Sequence, residues 1–318
     1  MSGRHACTQQ SARRSAVATI ALAASCALVT PVAATGPTIA ATLLASYVIG
    51  VGGNGDPTSG NIANKLDGKY GAGYVAADNG VQYLSQIWPV SGLTSHTFAQ
   101  SVSDGNTKLN DKIDAHGDHI TVVAYSLGAV IANKSRKQLE SDPAAPSDIQ
   151  FVFLANAAKP DGGIFARLPW LYVPFADIRS IGAMGPDQFT TTDITREYDT
   201  YGDFPTYLNL LSLANTLAAV QYVHPDPSYD NINIDAYNDE NAVSIAATDD
   251  TTVYHYSDGS TKTVVAATGT NAETTYYTIH TEHLPLLMPL RQAADALGLP
   301  QGGIDAIEPV LRVLVDMG

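Results

Sequence analysis

His119-Ile-Thr-Val-Val-Ala-Tyr-Ser-Leu-Gly-Ala-Val-Ile-Ala-Asn133 is the stretch whose reading decides the fold. Ile120 to Val123 is a β-branched run suited to a strand covered on both faces, and Ala129, Val130, Ala132 and Leu139 suit a packed helix. Between them Ala124-Tyr-Ser-Leu-Gly128 is a G-x-S-x-G pattern with alanine in its first position. Such a turn is expected to hold Ser126 in a strained backbone conformation, its hydroxyl aimed at solvent and its neighbours small enough for helix and strand to cross closely. That makes Ser126 the candidate nucleophile. The plainer alternative is a serine at an ordinary strand-to-helix turn.

Working outward, the upstream segment Ser46-Tyr-Val-Ile-Gly-Val51 reads as a first strand, followed by Gly52-Gly-Asn-Gly-Asp-Pro57 and an expected helix near 59–69. The glycine-rich turn does not match G-x-G-x-x-G and no G-K-[ST] follows, so a phosphate cradle is disfavoured. An oxyanion-hole loop fits better. In an α/β-hydrolase one donor comes from an early strand's loop and the other from the residue after the nucleophile, which nominates the N–H groups of Gly53 or Asn54, and of Leu127. A strand and packed connection are expected within 73–92, and Phe98, Val102, Leu109 and Ile113 mark a helix over 97–115. His116 and His119 precede the nucleophile strand, at its far end from Ser126, and read as surface histidines.

Downstream, 148–154 reads as a strand and 156–163 as a loop at the same sheet edge as Ser126. Leu168-Pro-Trp-Leu-Tyr-Val-Pro-Phe175 is either a lid or acyl-binding wall, or a loop packed under the domain. Asp193 to Tyr198 reads as a strand with Asp199 to Pro205 as the turn after it, and 208–223 as an apolar helix ending at His224-Pro225. A hairpin follows, turning at Asp258-Gly259, with His255 in a structural role. The last strand is 274–279, then the loop His280-Thr-Glu-His283 and a helix from Leu284 towards Leu297. Strands alternating with helices define the expected class: α/β, an α/β-hydrolase with a mostly parallel central sheet and helices on both faces.

A serine hydroxyl needs a base within reach and a carboxylate to hold that base in one tautomer. Chain order Ser, acid, His admits Asp199 or Asp203 as acid and His224, His280 or His283 as base. Asp203, in a Gly-Asp turn after a strand, is preferred to Asp199. The position of the last strand favours His283 or His280. A zinc site at His280 and His283 is not supported, because H-T-E-H is not H-E-x-x-H and no third ligand is evident.

Val51-Gly-Gly-Asn-Gly, Trp88-Pro, Ala124-Tyr-Ser-Leu-Gly, Arg196-Glu-Tyr-Asp-Thr-Tyr-Gly-Asp-Phe-Pro205, Tyr222-Val-His224, Thr275-Tyr-Tyr, Leu284-Pro-Leu-Leu and Leu311-Arg-Val-Leu-Val-Asp-Met-Gly318 occur in that order along the chain. Together they resemble the PE-PPE-domain serine hydrolases of mycobacteria, which are similar to cutinases. The resemblance implies esterase, lipase or acyltransferase activity on acyl esters outside the cytoplasm, with catalytic residues Ser126, Asp203 and His224, and no cofactor or metal. It moves the choice of base to His224, leaving His283 and Asp199 as alternatives. Some similar proteins move acyl chains between trehalose lipids. Ala124 departs from the family's elbow, and no PE or PPE helical module precedes the domain. A catalytically silent, lipid-binding surface protein is the reading from a different class.

Residues 1–36 read as a signal peptide or membrane anchor and 37–318 as the hydrolase domain. Arg4, Arg13 and Arg14 precede an uncharged run from Ser15 to Ala34, long enough to span a bilayer, and Val32-Ala33-Ala34 offers a cleavage site. Export, either secreted or anchored to the outer face of the cytoplasmic membrane through residues 15–34, is the expectation. Cys7 and Cys26 both lie in this segment, so the domain uses no disulfide. With 17 basic against 31 acidic residues and a net charge of −14, nucleic acid is excluded as a partner; an acyl ester or lipid is the expected one.

Overall fold

The computed structural model describes residues 46–142, 148–207, 209–267, 270 and 272–318. The targeting segment expected over 1–36 lies outside the described residues. Strands follow in chain order as β1 (Tyr47–Val51), β2 (Ile120–Tyr125), β3 (Ile149–Leu154), a small pair β4 (Tyr172–Val173) and β5 (Ile178–Arg179), β6 (Thr190–Arg196), β7 (Ser244–Ala247), β8 (Thr251–His255), β9 (Thr261–Ala266) and β10 (Glu273–Ile279). One eight-stranded sheet runs β1-β2-β3-β6-β10-β9-β8-β7. Its first five strands are parallel, and β9, β8 and β7 return antiparallel. This is the mostly parallel sheet of an α/β-hydrolase fold.

The parallel half is buried on both sides because its strands are apolar on both sides. On one face Ile49, Val51, Ile120, Val122, Phe151 and Phe153 pack against the helices Phe98–His116 and Leu127–Glu140. On the other, Val123, Val152, Leu154 and Ile194 meet Ile62, Leu66, Tyr229, Ile232 and Ile234. The cover on that second face is largely short turns of 3-10 helix, at Gly60–Asn64, Asp226–Tyr229 and Ile234–Ala236.

Two expected elements are shorter than anticipated. In place of a helix over 59–69 there is a 3-10 turn followed by a four-residue turn, Lys65–Gly68, inside which Leu66 and Asp67 have positive φ. The strand expected within 73–92 is reduced to a single bridge, Gly50 to Gly80. The 97–115 helix forms over Phe98–His116, where Thr97 and Gln100 make a reciprocal capping box. The apolar helix before His224 runs Leu210–Tyr222 and is capped by Asn209, whose side chain accepts the N–H groups of Leu211 and Ser212. Two further helices, Met288–Ala296 and Gly302–Asp316, close the chain. Among the described residues no helix is long and apolar enough to cross a membrane.

Candidate active site

Ser126 ends β2 and precedes the Leu127–Glu140 helix with φ 54 and ψ −114, a conformation that a residue with a side chain rarely adopts. Its N–H is spent on Leu154 O of the neighbouring strand at 2.9 Å. The crossing is tight at Gly128, where an added Cβ would stand 2.1 Å from Val51 O. The glycine at the end of the pentapeptide is therefore required by contact. Ala124 at its start is an ordinary strand residue whose methyl fills the core, which is why alanine is accommodated there.

Ser126 Oγ lies 2.9 Å from His224 Nε2. His224 Nδ1 lies 3.0 and 3.1 Å from the two carboxylate oxygens of Asp199. The Leu210–Tyr222 helix delivers the histidine: its last turn holds His224 N–H on Ala219 O at 2.9 Å. Tyr125, the residue before the serine, stacks on the imidazole with ring centres 5.5 Å apart, and its hydroxyl donates to His224 O. Tyr201 meets the ring edge-on at 4.3 Å. The segment beyond His224 is pinned by the buried Lys65 ammonium, which pairs with Asp226 and Asp230.

Asp199 is fully buried and heads the turn after β6. Its Oδ1 accepts from the N–H groups of Tyr201 at 2.9 Å and Gly202 at 3.2 Å, and its Oδ2 from the Tyr229 hydroxyl at 2.8 Å. Burial by itself would raise its pKa. The charge and hydrogen bond of His224, with the Tyr201 N–H and the Tyr229 hydroxyl, outweigh that and hold the carboxyl below the ordinary aspartate range.

The preference for Asp203 as the acid is corrected by this geometry. Asp203 Oδ2 accepts the N–H of Tyr198 at 2.7 Å, so its carboxylate closes the same turn from the opposite side instead of facing His224. Burial pushes its pKa up, against the nearby charge of Lys159. The loop after the last strand is likewise elsewhere: His280 Nδ1 is 2.9 Å from Glu197, and His283 Nδ1 is 3.3 Å from Glu308. His280 is thus held by the residue after β6 and His283 by the Gly302–Asp316 helix, and neither is among the partners of Ser126.

Leu127 opens its helix, so its N–H has no partner four residues back. Gly53 is close by; a Cβ there would come within 2.8 Å of the Tyr125 ring and 3.4 Å of Ser126 Cβ. The carbonyls of the glycine-rich loop have their own partners, Gly52 O accepting from the Tyr83 hydroxyl and Gly53 O from Ser85 Oγ, each at 2.6 Å. Asn54 lines the cleft, its side-chain Oδ1 held by Ser91 Oγ at 2.7 Å.

A cleft of about 380 Å³ opens on Ser126 and His224. Its walls are apolar: Val130, Phe165, Leu171, Val173, Ile178 and Val220. The 168–175 stretch thus forms one wall, as a flap whose strand β4 pairs with β5, with Leu171 and Val173 lining the cleft and Trp170, Tyr172 and Phe175 exposed. The aliphatic residues between the aromatics hold the lining positions. No sequence pattern marks Tyr201 or Tyr229 for the site, and Tyr125 is marked only by lying within the pentapeptide.

The strand-turn-helix at Ser126, set on a mostly parallel sheet, defines the α/β-hydrolase class. Within it, the chain belongs to the PE-PPE domain family, whose family model matches residues 75–318. Among its relatives in Mycobacterium tuberculosis, Esterase PE16 is 31% identical over 76% of this chain. SL1278 acyltransferase Chp1 is 30% identical over 74%, and Diacyltrehalose acyltransferase Chp2 26% identical over 72%. The chain spans only 42%, 52% and 58% of the lengths of these three. Among solved structures, a cutinase-like protein from Cryptococcus sp. aligns over 59% of this chain and 92% of its own with 14% identity and a TM-score of 0.31, a likeness too slight to carry an argument.

Proposed function

We propose that this chain is an exported enzyme acting on acyl esters of lipids through a covalent acyl-serine at Ser126. The observation that carries the reading is the continuous hydrogen-bonded line from Ser126 Oγ through His224 to the buried Asp199 carboxylate, at the floor of an apolar cleft. Asp199 accepts from Nδ1–H, which leaves the Nε2 lone pair facing the serine hydroxyl. His224 takes the Oγ proton as Oγ bonds to the ester carbonyl carbon. The tetrahedral oxyanion is met by the N–H groups of Leu127 and Gly53 or Asn54. The carbon–oxygen bond to the alcohol then breaks, and the alcohol leaves with the proton held on Nε2. A water or a second alcohol gives its proton to Nε2, attacks the acyl-enzyme, and restores Ser126 on release of acid or new ester.

Hydrolysis is the primary reading, because water is always present as an acceptor and the sequence carries no identifiable sugar site. Acyl transfer is favoured by one observation, that two relatives bear acyltransferase names. Purified protein should cleave p-nitrophenyl butyrate, and Ser126→Ala should reduce the rate by at least about three orders of magnitude. Repeating the reaction with a trehalose ester as acceptor separates the two outcomes: free acid alone marks a hydrolase, a new ester a transferase. Wild-type-like turnover by Ser126→Ala would remove the proposal.

Export rests on the apolar run Ser15–Ala34 after Arg13 and Arg14. N-terminal sequencing of protein from culture fluid and from membranes checks it. A terminus near Thr35 in the fluid means release, an intact Met1 in membranes means anchoring, and an intact chain confined to the cytoplasm contradicts both.

A further inference from the structure

The Leu210–Tyr222 helix is built inside out. A surface helix normally turns its apolar stripe to the core and its polar face to water. Here Ser212, Asn215 and Thr216 are buried, while Leu210, Leu213, Leu217 and Val220, at three- and four-residue spacing along the opposite side, face solvent. Leu210 is 86% and Leu217 67% exposed, and the helix carries no charged residue. The inward polar groups are satisfied: Asn215 Oδ1 accepts the Leu286 N–H at 2.9 Å, and Thr216 Oγ1 donates to Ser212 O at 2.9 Å. The Leu286 N–H and the Thr200 hydroxyl, which donates to Thr216 O at 2.8 Å, tie this polar side to the rest of the fold. The Gly302–Asp316 helix packs beside it, with Asn209 Nδ2 donating to Leu314 O, and buries Ile304 and Val315 on its inward side. Its Glu308 is buried against Arg291 while Ile307, Val310 and Val313 are exposed.

We infer that the exposed leucine face of the Leu210–Tyr222 helix docks on a neutral lipid surface and sets the mouth of the catalytic cleft against it. The choice of a lipid over a protein comes from continuity with the cleft. Val220 belongs both to the exposed stripe and to the cleft wall, and Val90, also exposed, lines the same cleft. A protein seated there would cover the entrance, whereas a lipid surface supplies what enters; this step rests on the reading of the cleft as the acyl entrance. The beginning of the flap adds Trp170, 75% exposed next to the cleft-lining Leu171, an aromatic residue of the kind that settles at a membrane interface. The net charge of −14 disfavours anionic lipid, so the surface is neutral or zwitterionic. His224 follows the end of the same helix, its N–H held on Ala219 O, which ties docking to the position of the base.

Quenching of tryptophan emission by vesicles of brominated phosphatidylcholine tests this on the full chain. The chain's two tryptophans, Trp88 and Trp170, both belong to the cleft side, Trp88 through its ring contact with Phe175 of the flap. Wild-type and Ser126→Ala protein should be quenched alike, which separates docking from catalysis. In Leu210→Gln/Leu217→Gln the lipid concentration for half-maximal quenching should rise at least about tenfold, with p-nitrophenyl butyrate turnover unchanged. Leu210→Ala/Leu217→Ala, which keeps helix propensity, should move it in the same direction. Absent quenching in the wild type, or equal quenching in the variants, overturns the inference. So does a dimer in lipid-free buffer that these substitutions dissociate without altering the quenching, since the face would then belong to a second copy.

Discussion

Asp199 and Asp203 stand four residues apart in one turn, and the fold gives them opposite jobs. Asp199 is held by N–H groups two and three residues ahead and turned onto His224; Asp203 reaches back to the Tyr198 N–H. Asp199→Asn should therefore lower kcat on p-nitrophenyl butyrate by about three to four orders of magnitude with the fold intact, because the amide cannot favour the required tautomer. Asp203→Asn should leave kcat within a few-fold and register mainly as a lower melting temperature. Steady-state rates and thermal melts of both variants check this, and equal losses of kcat would return the acid to doubt. The sequence offered a signal for the choice: an aspartate bonding the N–H two residues on is a common turn device, and Asp199-Thr-Tyr has the spacing for it. No comparable signal pointed to Tyr229, whose contact with Asp199 spans 30 residues of chain.

At the scale of elements, the strand-turn-helix around Ser126 was legible because its determinants are local: a buried strand pattern, small residues and a glycine. Its tolerance is uneven in a testable way. Gly128→Ala would drive a methyl into the Val51 carbonyl, a backbone atom that cannot swing aside, and should destabilise the protein by roughly 2–4 kcal/mol. Ala124→Gly should cost only about 1 kcal/mol. Urea denaturation of the two variants measures the difference, and a harmless Gly128→Ala would contradict the tight crossing. The base was less legible. The position of the last strand points to His283 or His280, and only the family resemblance points to His224, because what brings His224 to Ser126 is a helix running back over the site with Tyr125 stacked beneath its end. Likewise the flap was marked by its aromatics, whereas alternation within β4 turns the intervening aliphatic residues into the cleft.

Across the whole molecule, the mostly parallel character of the sheet followed from alternating strand and helix patterns, while its strand order and the outward leucine face of the Leu210–Tyr222 helix did not, since an apolar helix reads as buried until its neighbours are known. The buried acids add a pH dependence that composition alone does not display. Asp193, deep in β6, is pushed up to about 6 by burial, against the charge of Lys159 and the hydrogen bond from Asn156. A carboxyl whose folded value is raised contributes stability in full below its unfolded value near 3.8, and that contribution is lost as pH rises through about 6. Asp193→Asn should thus flatten the fall in melting temperature between about pH 4 and about pH 6, an effect of at most about 3 kcal/mol; a variant with the wild-type slope would show that Asp193 ionises without penalty. The proposal that Ser126 is the nucleophile has a more direct test. Protein treated with a fluorophosphonate, digested and analysed by mass spectrometry should carry one adduct, on Ser126, with no labelling of Ser126→Ala and sharply slowed labelling of His224→Ala. An adduct on another residue, or undiminished labelling of Ser126→Ala, would contradict the account.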